Sequence, residues 1–214
     1  MNGKRSVRGA AVAALLMLLA AVPIRTARAQ TGEHASPSAA SVSNLIQELR
    51  SPDLRRRRDA ARELSNIEPL PSEAIAALAQ ALQDEQPNGA VENYASIGLS
   101  KAGARAIPAL AELTRSGNPQ ARQAAIATLG RMAKSTPDAW PLLIDAFRQP
   151  SGRGAAYVWG IADQLARVGP PVIPLLRKAL EDPDPHVRAG AAATLAQMGD
   201  FDRHWSRNNP YVRK

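Results

Sequence analysis

The run Ala179–Gly199, ALEDPDPHVRAGAAATLAQMG, decides the fold. Leu180 closes one apolar stretch, Asp182-Pro183-Asp184-Pro185 makes a polar corner, and a second helix is predicted behind it. Asp184 is placed to cap that helix, because a short side-chain acceptor satisfies an orphan first-turn N–H. Pro185 falls at the first helical position, where a missing N–H costs nothing. Val187, Ala191, Ala192, Leu195 and Met198 recur at helical spacing, and Gly199 is expected to stop the run. A single unit of this size cannot bury its own apolar side, so it has to repeat to be stable.

It repeats. Moving back 131 positions gives Leu49, Pro52, Asp53, Arg57, Ala60, Ala61, Leu64 and Ile67 without a gap. Asn118, Pro119, Arg122, Ala125, Leu129 and Met132 fit the same template. Asn88, Val91, Ala95, Leu99 and Gly103 fit it more loosely, as do Gly154, Tyr157, Ile161, Leu165 and Gly169. The equivalent leucines are 64, 99, 129, 165 and 195, and Pro108, Pro141 and Pro174 stand 33 apart as a second marker. A period of this size is the signature of a stacked-repeat protein.

Composition agrees. Aromatic residues make up only 4% of the 214, so burial has to come from many Ala, Leu, Ile and Val side chains in closely packed helices. There is no cysteine, which excludes disulfides, thiolate metal sites and cysteine nucleophiles.

Residues 1–29 read as a secretory signal. Lys4, Arg5 and Arg8 precede an apolar run from Ala10 to Val22, and Ala27-Arg28-Ala29 is the small-x-small pattern of a cleavage site. The run is short for a bilayer-spanning helix, which needs about 20 residues. Retention as an anchor is the competing expectation. Export places the protein outside the cytoplasm, in the periplasm of a Gram-negative cell and otherwise secreted. It also removes most of the charge. The whole chain is +8, but residues 30–214 hold 22 basic and 19 acidic residues, a net +3. No nucleic-acid partner is therefore expected.

Residues 30–41 are small and polar and read as a flexible linker, 42–199 as the repeat array, and 200–214 as a capping segment or tail. First helices are predicted at about 42–50, 72–83, 104–115, 137–148 and 171–181. Second helices are predicted at about 54–66, 89–101, 119–133, 155–167 and 185–198. Thr136-Pro137 and Asn118-Pro119 repeat the cap-then-proline pattern, and each of the evenly spaced prolines is expected in a first turn or at a bend.

The recurring Asp-Pro-x-Val-Arg-x-x-Ala-Ala-x-x-Leu resembles HEAT repeats of the compact, phycocyanobilin-lyase-like bacterial type. Asp184, Pro185, Val187, Arg188, Ala191, Ala192, Leu195 and Gly199 match it in the last unit, Asp53, Arg57 and Leu64 in the first, and Asn118, Arg122 and Leu129 in the third. Leu99 and Leu165 stand for the motif leucine in the units between. The resemblance implies an all-α, right-handed α–α superhelix of about five helix pairs whose concave face contacts proteins. In some members such repeats serve lyases that attach bilins, which gives an enzyme or enzyme accessory subunit as the alternative function. The second and fourth units depart from the motif, with Glu92 and Val158 in place of its arginine.

Candidate sites are few. Arg57, Arg122 and Arg188 recur at one position and are read as structural, pairing with a corner acid or a carbonyl of the adjacent unit, against an anion-binding ladder. Arg55, Arg56 and Arg58 form a run that is a solvated face or a contact for an acidic partner or anionic lipid head groups. Tyr94 and Trp159 are candidate anchors in second helices, where an exposed aromatic is a typical hot spot. Tyr157 is expected to be as much core as surface. Asp200, Asp202 and His204 are a weak metal pattern, read instead as part of a terminal segment that folds Phe201 and Trp205 over the last pair. No catalytic motif, metal site or cofactor is expected, and the partner expected is another protein.

Overall fold

Helices follow one another along the described residues from Ser38 to Phe201, and the corners Asn118-Pro119 and Asp184-Pro185 each restart a helix after the previous one has ended. A computed structural model describes residues 38–84, 89–148 and 155–201. The expected signal at 1–29, the linker up to residue 37, the corner at 149–154 and the tail at 202–214 lie outside them, as does the side chain of Phe201. The first helices are α1 Ala39–Glu48, α3 Ser72–Ala81, α5 Ile107–Thr114, α7 Ala139–Asp145 and α9 Ile173–Ala179. The second helices are α2 Leu54–Leu64, α4 Ala90–Ala102, α6 Pro119–Met132, α8 Ala155–Ala166 and α10 Pro185–Phe201. Among the described residues there is no strand.

The boundaries correct the sequence in four respects. Helix α1 begins at Ala39, inside the expected linker, because the Ser38 side chain accepts a hydrogen bond from Ser41 N–H at 3.3 Å and caps it. The prolines shorten the first helices. Pro108 and Pro174 are the second residues of α5 and α9, and the chain before them is tightened into 3₁₀ turns at Gly103–Ala106 and Pro170–Val172. Thr136-Pro137 does not cap α7, which starts two residues later at Ala139. Gly199 does not end α10. Gly103 and Gly169, each four residues past the repeat leucine, take φ of +60° and +83° and turn the chain out of α4 and α8. Gly199 stands at the equivalent place, but it has no left-handed φ and open space beside it, so the helix runs on.

Odd helices pack against even ones within a pair, and the even helices pack on one another along the array. Even helices pack on one another at α2–α4, α4–α6 and α8–α10, so these helices line one side of the array. Leu64, Leu99, Leu129 and Leu165 are all fully buried and trace the spine between them. Each contributes about 1.5–3 kcal/mol of burial. Leu195 is only partly buried and Ala192 is exposed, although both recur at the helical spacing of the apolar side. No further repeat stands against α10 among the described residues, so its outer side keeps its water.

Close approach is bought with glycine at two of these interfaces. A Cβ on Gly98 would stand 3.1 Å from the Ser65 backbone and 2.8 Å from Leu78, which are both buried. A Cβ on Gly190 would run into the Phe147 ring, and Phe147 is 1% exposed with nowhere to swing. Gly190→Ala should therefore destabilise the protein by about 1–3 kcal/mol through overpacking. Gly160→Ala, with nothing within 4 Å, is its control and should stabilise by roughly 0.5–1 kcal/mol. Thermal unfolding of the two variants checks this; equal melting temperatures would mean that α10 does not depend on that contact.

Candidate functional site

Each well-formed corner is a small hydrogen-bond circuit set by residue type. In the first repeat Ser51 Oγ accepts from Asp53 N–H (3.2 Å), and Asp53 Oδ1 accepts from Arg55 N–H (2.8 Å). The Arg57 guanidinium folds back to donate to Ser51 O (2.8 Å) and Pro52 O (3.0 Å). The third repeat does the same with Ser116, Asn118 and Arg122. The fifth does so with Asp182, Asp184 and Arg188, whose guanidinium donates to Asp182 O and Pro183 O, both at 2.8 Å. The motif arginine thus satisfies carbonyls left at the end of the preceding helix. They are carbonyls of its own corner, which corrects the expected pairing with the adjacent unit. Arg57 also reaches a corner acid of the next repeat, where Nε lies 2.6 Å from Asp84 Oδ2 with both side chains under 15% exposed.

The corner residue two before the cap (Ser51, Ser116, Asp182) was missed in the sequence. Its signal is there, a hydroxyl or carboxylate always two residues before Asp53, Asn118 or Asp184. The fourth repeat, which lacks the motif arginine, is tied by another one. Arg148 holds the Asp182 carboxylate through both terminal nitrogens (2.9 and 2.6 Å) and also Asp145 (2.7 Å).

The rest of the candidate residues are dispersed. Arg56 lies 3.6 Å from Glu48 and Arg58 2.9 Å from Asp59, so two members of the arginine run in α2 are neutralised locally. Arg55 has no ion-pair partner among the described residues. Tyr94, in α4, is half-buried against the core. Tyr157 is half-buried as well, and burial raises the pKa of its hydroxyl. Trp140 packs on the core and donates Nε1–H to Ala133 O at 2.7 Å. Trp159, in α8, is 52% exposed; the other large apolar side chain in that class among the described residues is Leu180. Arg55, Tyr94 and Trp159 belong to three different repeats, and no one pocket gathers them. Among the described residues no cluster of His, Asp and Glu could hold a metal ion, and no helix is long and apolar enough to cross a membrane.

What the array does present is a surface ordered by register. Counting from the spine leucine, the residue six before it is Arg58, Asn93, Gln123, Trp159 or Ala189. The residue two after it is Asn66, Lys101, Arg131, Arg167 or Gln197. Both rows lie on the even helices or, for Asn66 and Arg167, just past their C-terminal ends. Between α6 and α8 the even helices part slightly, leaving a groove of about 380 Å³ lined by Ala127, Gly130, Arg131, Lys134, Asp163, Gln164 and Arg167.

The comparisons follow the repeat. A family model described as HEAT repeats matches residues 85–159 and again 155–204. The first helix pair lies outside that match but carries the same corner circuit. No curated protein matches. Among solved structures, the complex of CpcE and CpcF of phycocyanin lyase from Nostoc is similar at 28% identity over 78% of this chain and 67% of that one, with a TM-score of 0.43. An engineered protein is similar at 22% identity over 74% and 79%, with a TM-score of 0.38. A designed armadillo repeat protein is similar at 16% over 73% and 99%, with a TM-score of 0.25.

Two carboxyls give pH tests. The Arg148 hydrogen bonds, with the Asp184 N–H, hold Asp182 below the usual aspartate range. Its contribution to stability is therefore present at neutral pH and is lost as pH falls through that depressed value. Arg148→Gln should move the Asp182 titration upward by NMR and bring acid unfolding to higher pH. Partial burial instead raises Glu92, which occupies the arginine position of the second repeat. Stability linked to Glu92 is greatest at low pH and falls as pH rises through the raised value. Glu92→Gln should therefore raise the melting temperature at pH 7 and leave it unchanged in acid. A gain of equal size at both pH values would show that charge burial is not the cause.

Proposed function

Because the chain belongs to the HEAT-repeat family, we propose that it is a binding and scaffolding module that engages another protein through the exposed face of its even helices. Trp159 carries the reading. A large aromatic side chain left half in water on an even helix, in a chain where aromatics are 4%, is the kind of residue that anchors a partner. Around it Ala156, Gly160 and Ala189 are small and exposed, so the indole stands above a smooth floor that another surface can approach. Arg55, at the far end of the array, supplies a charge for the margin of an acidic partner or an anionic membrane surface.

The module works outside the cytoplasm, in the cell envelope. This part rests on the first 29 residues, where a basic start, an apolar run and Ala27-Arg28-Ala29 form a signal. Its measure is the N-terminus of protein isolated from its own cells. Gln30 in an envelope fraction is the expected result, and a chain starting at Met1 in the cytosol would overturn it.

Trp159→Ala should leave the fold within about 0.5 kcal/mol, as surface changes do, while removing the partner from material captured on the immobilised protein. Quantitative mass spectrometry of envelope proteins captured on wild type and variant reads this directly. An unchanged set of captured proteins would remove Trp159, and the face it stands on, from the binding site.

A further inference from the structure

We infer that the even-helix face binds an extended acidic segment of a partner protein, laid across α4, α6 and α8 along the row Lys101, Arg131 and Arg167. The inference rests on the scaffold reading above and names the chemistry of what the scaffold holds. The three cations stand two residues after the spine leucines of consecutive repeats, and all are exposed. Lys134 lies one turn beyond Arg131 and adds a fourth cation at the mouth of the α6–α8 groove. Two of the four are already engaged: Arg167 pairs with Asp163 at 2.9 Å, and Lys101 lies 3.4 Å from Glu68 and donates to Ser65 O at 3.1 Å, each with part of its side chain still in water. Arg131 and Lys134 have no ion-pair partner among the described residues. These cations differ from Arg57, Arg122 and Arg188, whose guanidinium groups are already spent on the corners.

Geometry sets the spacing. Packed helices stand about 8–10 Å apart, and an extended chain of the polyproline II kind advances about 3.1 Å per residue with every third side chain on the same side. Such a chain crossing the even helices at right angles therefore meets a new cation about every third residue. The segment that fits has carboxylates three apart, with small residues between them to pass over Ala127 and Gly130. A peptide suits the groove better than a nucleic acid does. The cations stand about one helix spacing apart, which an extended peptide with spaced carboxylates matches, whereas a phosphodiester backbone carries a charge on every nucleotide. The row also lacks the interleaved aromatics on which single-stranded bases stack.

The probe is a fluorescent peptide of about twelve residues with aspartate at every third position and serine between, followed by anisotropy on the purified chain; at about 3.1 Å per residue it covers three helices spaced about 8–10 Å apart and extends past both outer ones. Binding should weaken about tenfold or more in the Arg131→Glu, Lys134→Glu double variant, and comparably between about 50 and 300 mM salt. A peptide of the same composition with its aspartates adjacent should bind several-fold more weakly. The charge-neutral Arg131→Gln, Lys134→Gln variant, checked by circular dichroism, guards against a folding defect and should show an intermediate loss. Equal binding by wild type and both variants, or no binding at all, would overturn the inference, as would an oligothymidylate that displaces the peptide at lower concentration than unlabelled peptide does. Envelope capture separates the two readings. If the Trp159-dependent partner remains bound to the charge-reversed protein, the acidic segment is wrong and the scaffold stands. If Trp159→Ala changes nothing in capture while the peptide discriminates as expected, the cation row stands and the aromatic anchor falls.

Discussion

Every repeat leaves the leucine of its even helix facing the repeat that follows. Leu64, Leu99, Leu129 and Leu165 are each fully dry, and each is dried by a neighbour rather than by its own pair alone. Leu195 shows the rule by its exception, since it holds the same register and stays partly wet where no sixth pair follows among the described residues. Stability in such an array is carried by interfaces between units, so the geometry of each corner, which sets how one pair meets the next, matters as much as the core itself.

The corners explain why the motif arginine belongs to structure. Its aliphatic stem reaches back over the first turn, and its guanidinium closes on carbonyls that the odd helix leaves unpaired. A glutamate or a valine cannot do this, as neither has a donor there. Where Glu92 and Val158 stand at that position, other contacts link the units: Lys101 donates to Ser65 O at 3.1 Å across α2 and α4, and Arg148 grips Asp182 from the preceding helix end. The buried hydroxyls of Thr128 and Ser96, 3.0 Å apart, add a polar link between α4 and α6.

What could be read from the chain was what depends on local chemistry. Caps at Asp53, Asn118 and Asp184, the helical spacing of the leucines and the identity of the even helices all follow from residue type and position, and they stand where expected. Thr136 and Gly199 resemble their counterparts just as closely but act differently, because their roles depend on what packs next to them. Gly103 ends a helix since α5 must turn back to pack; Gly199 has no helix to turn toward among the described residues. The cation row escaped the sequence for a related reason. Attention fell on Arg55, Arg56 and Arg58, which are adjacent in the chain but largely neutralised by nearby acids, whereas Lys101, Arg131 and Arg167 become neighbours only once the register of the stack is known.

The fourth repeat is where the array departs furthest from its own rule. It has lost the motif arginine, its even helix stands off from α6, and it carries Trp159 at a position where the other repeats have Arg58, Asn93, Gln123 and Ala189. Each departure costs stability or solubility when taken alone. A repeat under pressure only to stack would keep its surface polar, as the third does. Local violations that coincide in one unit mark a place where the chain gives up regularity for contact with something else.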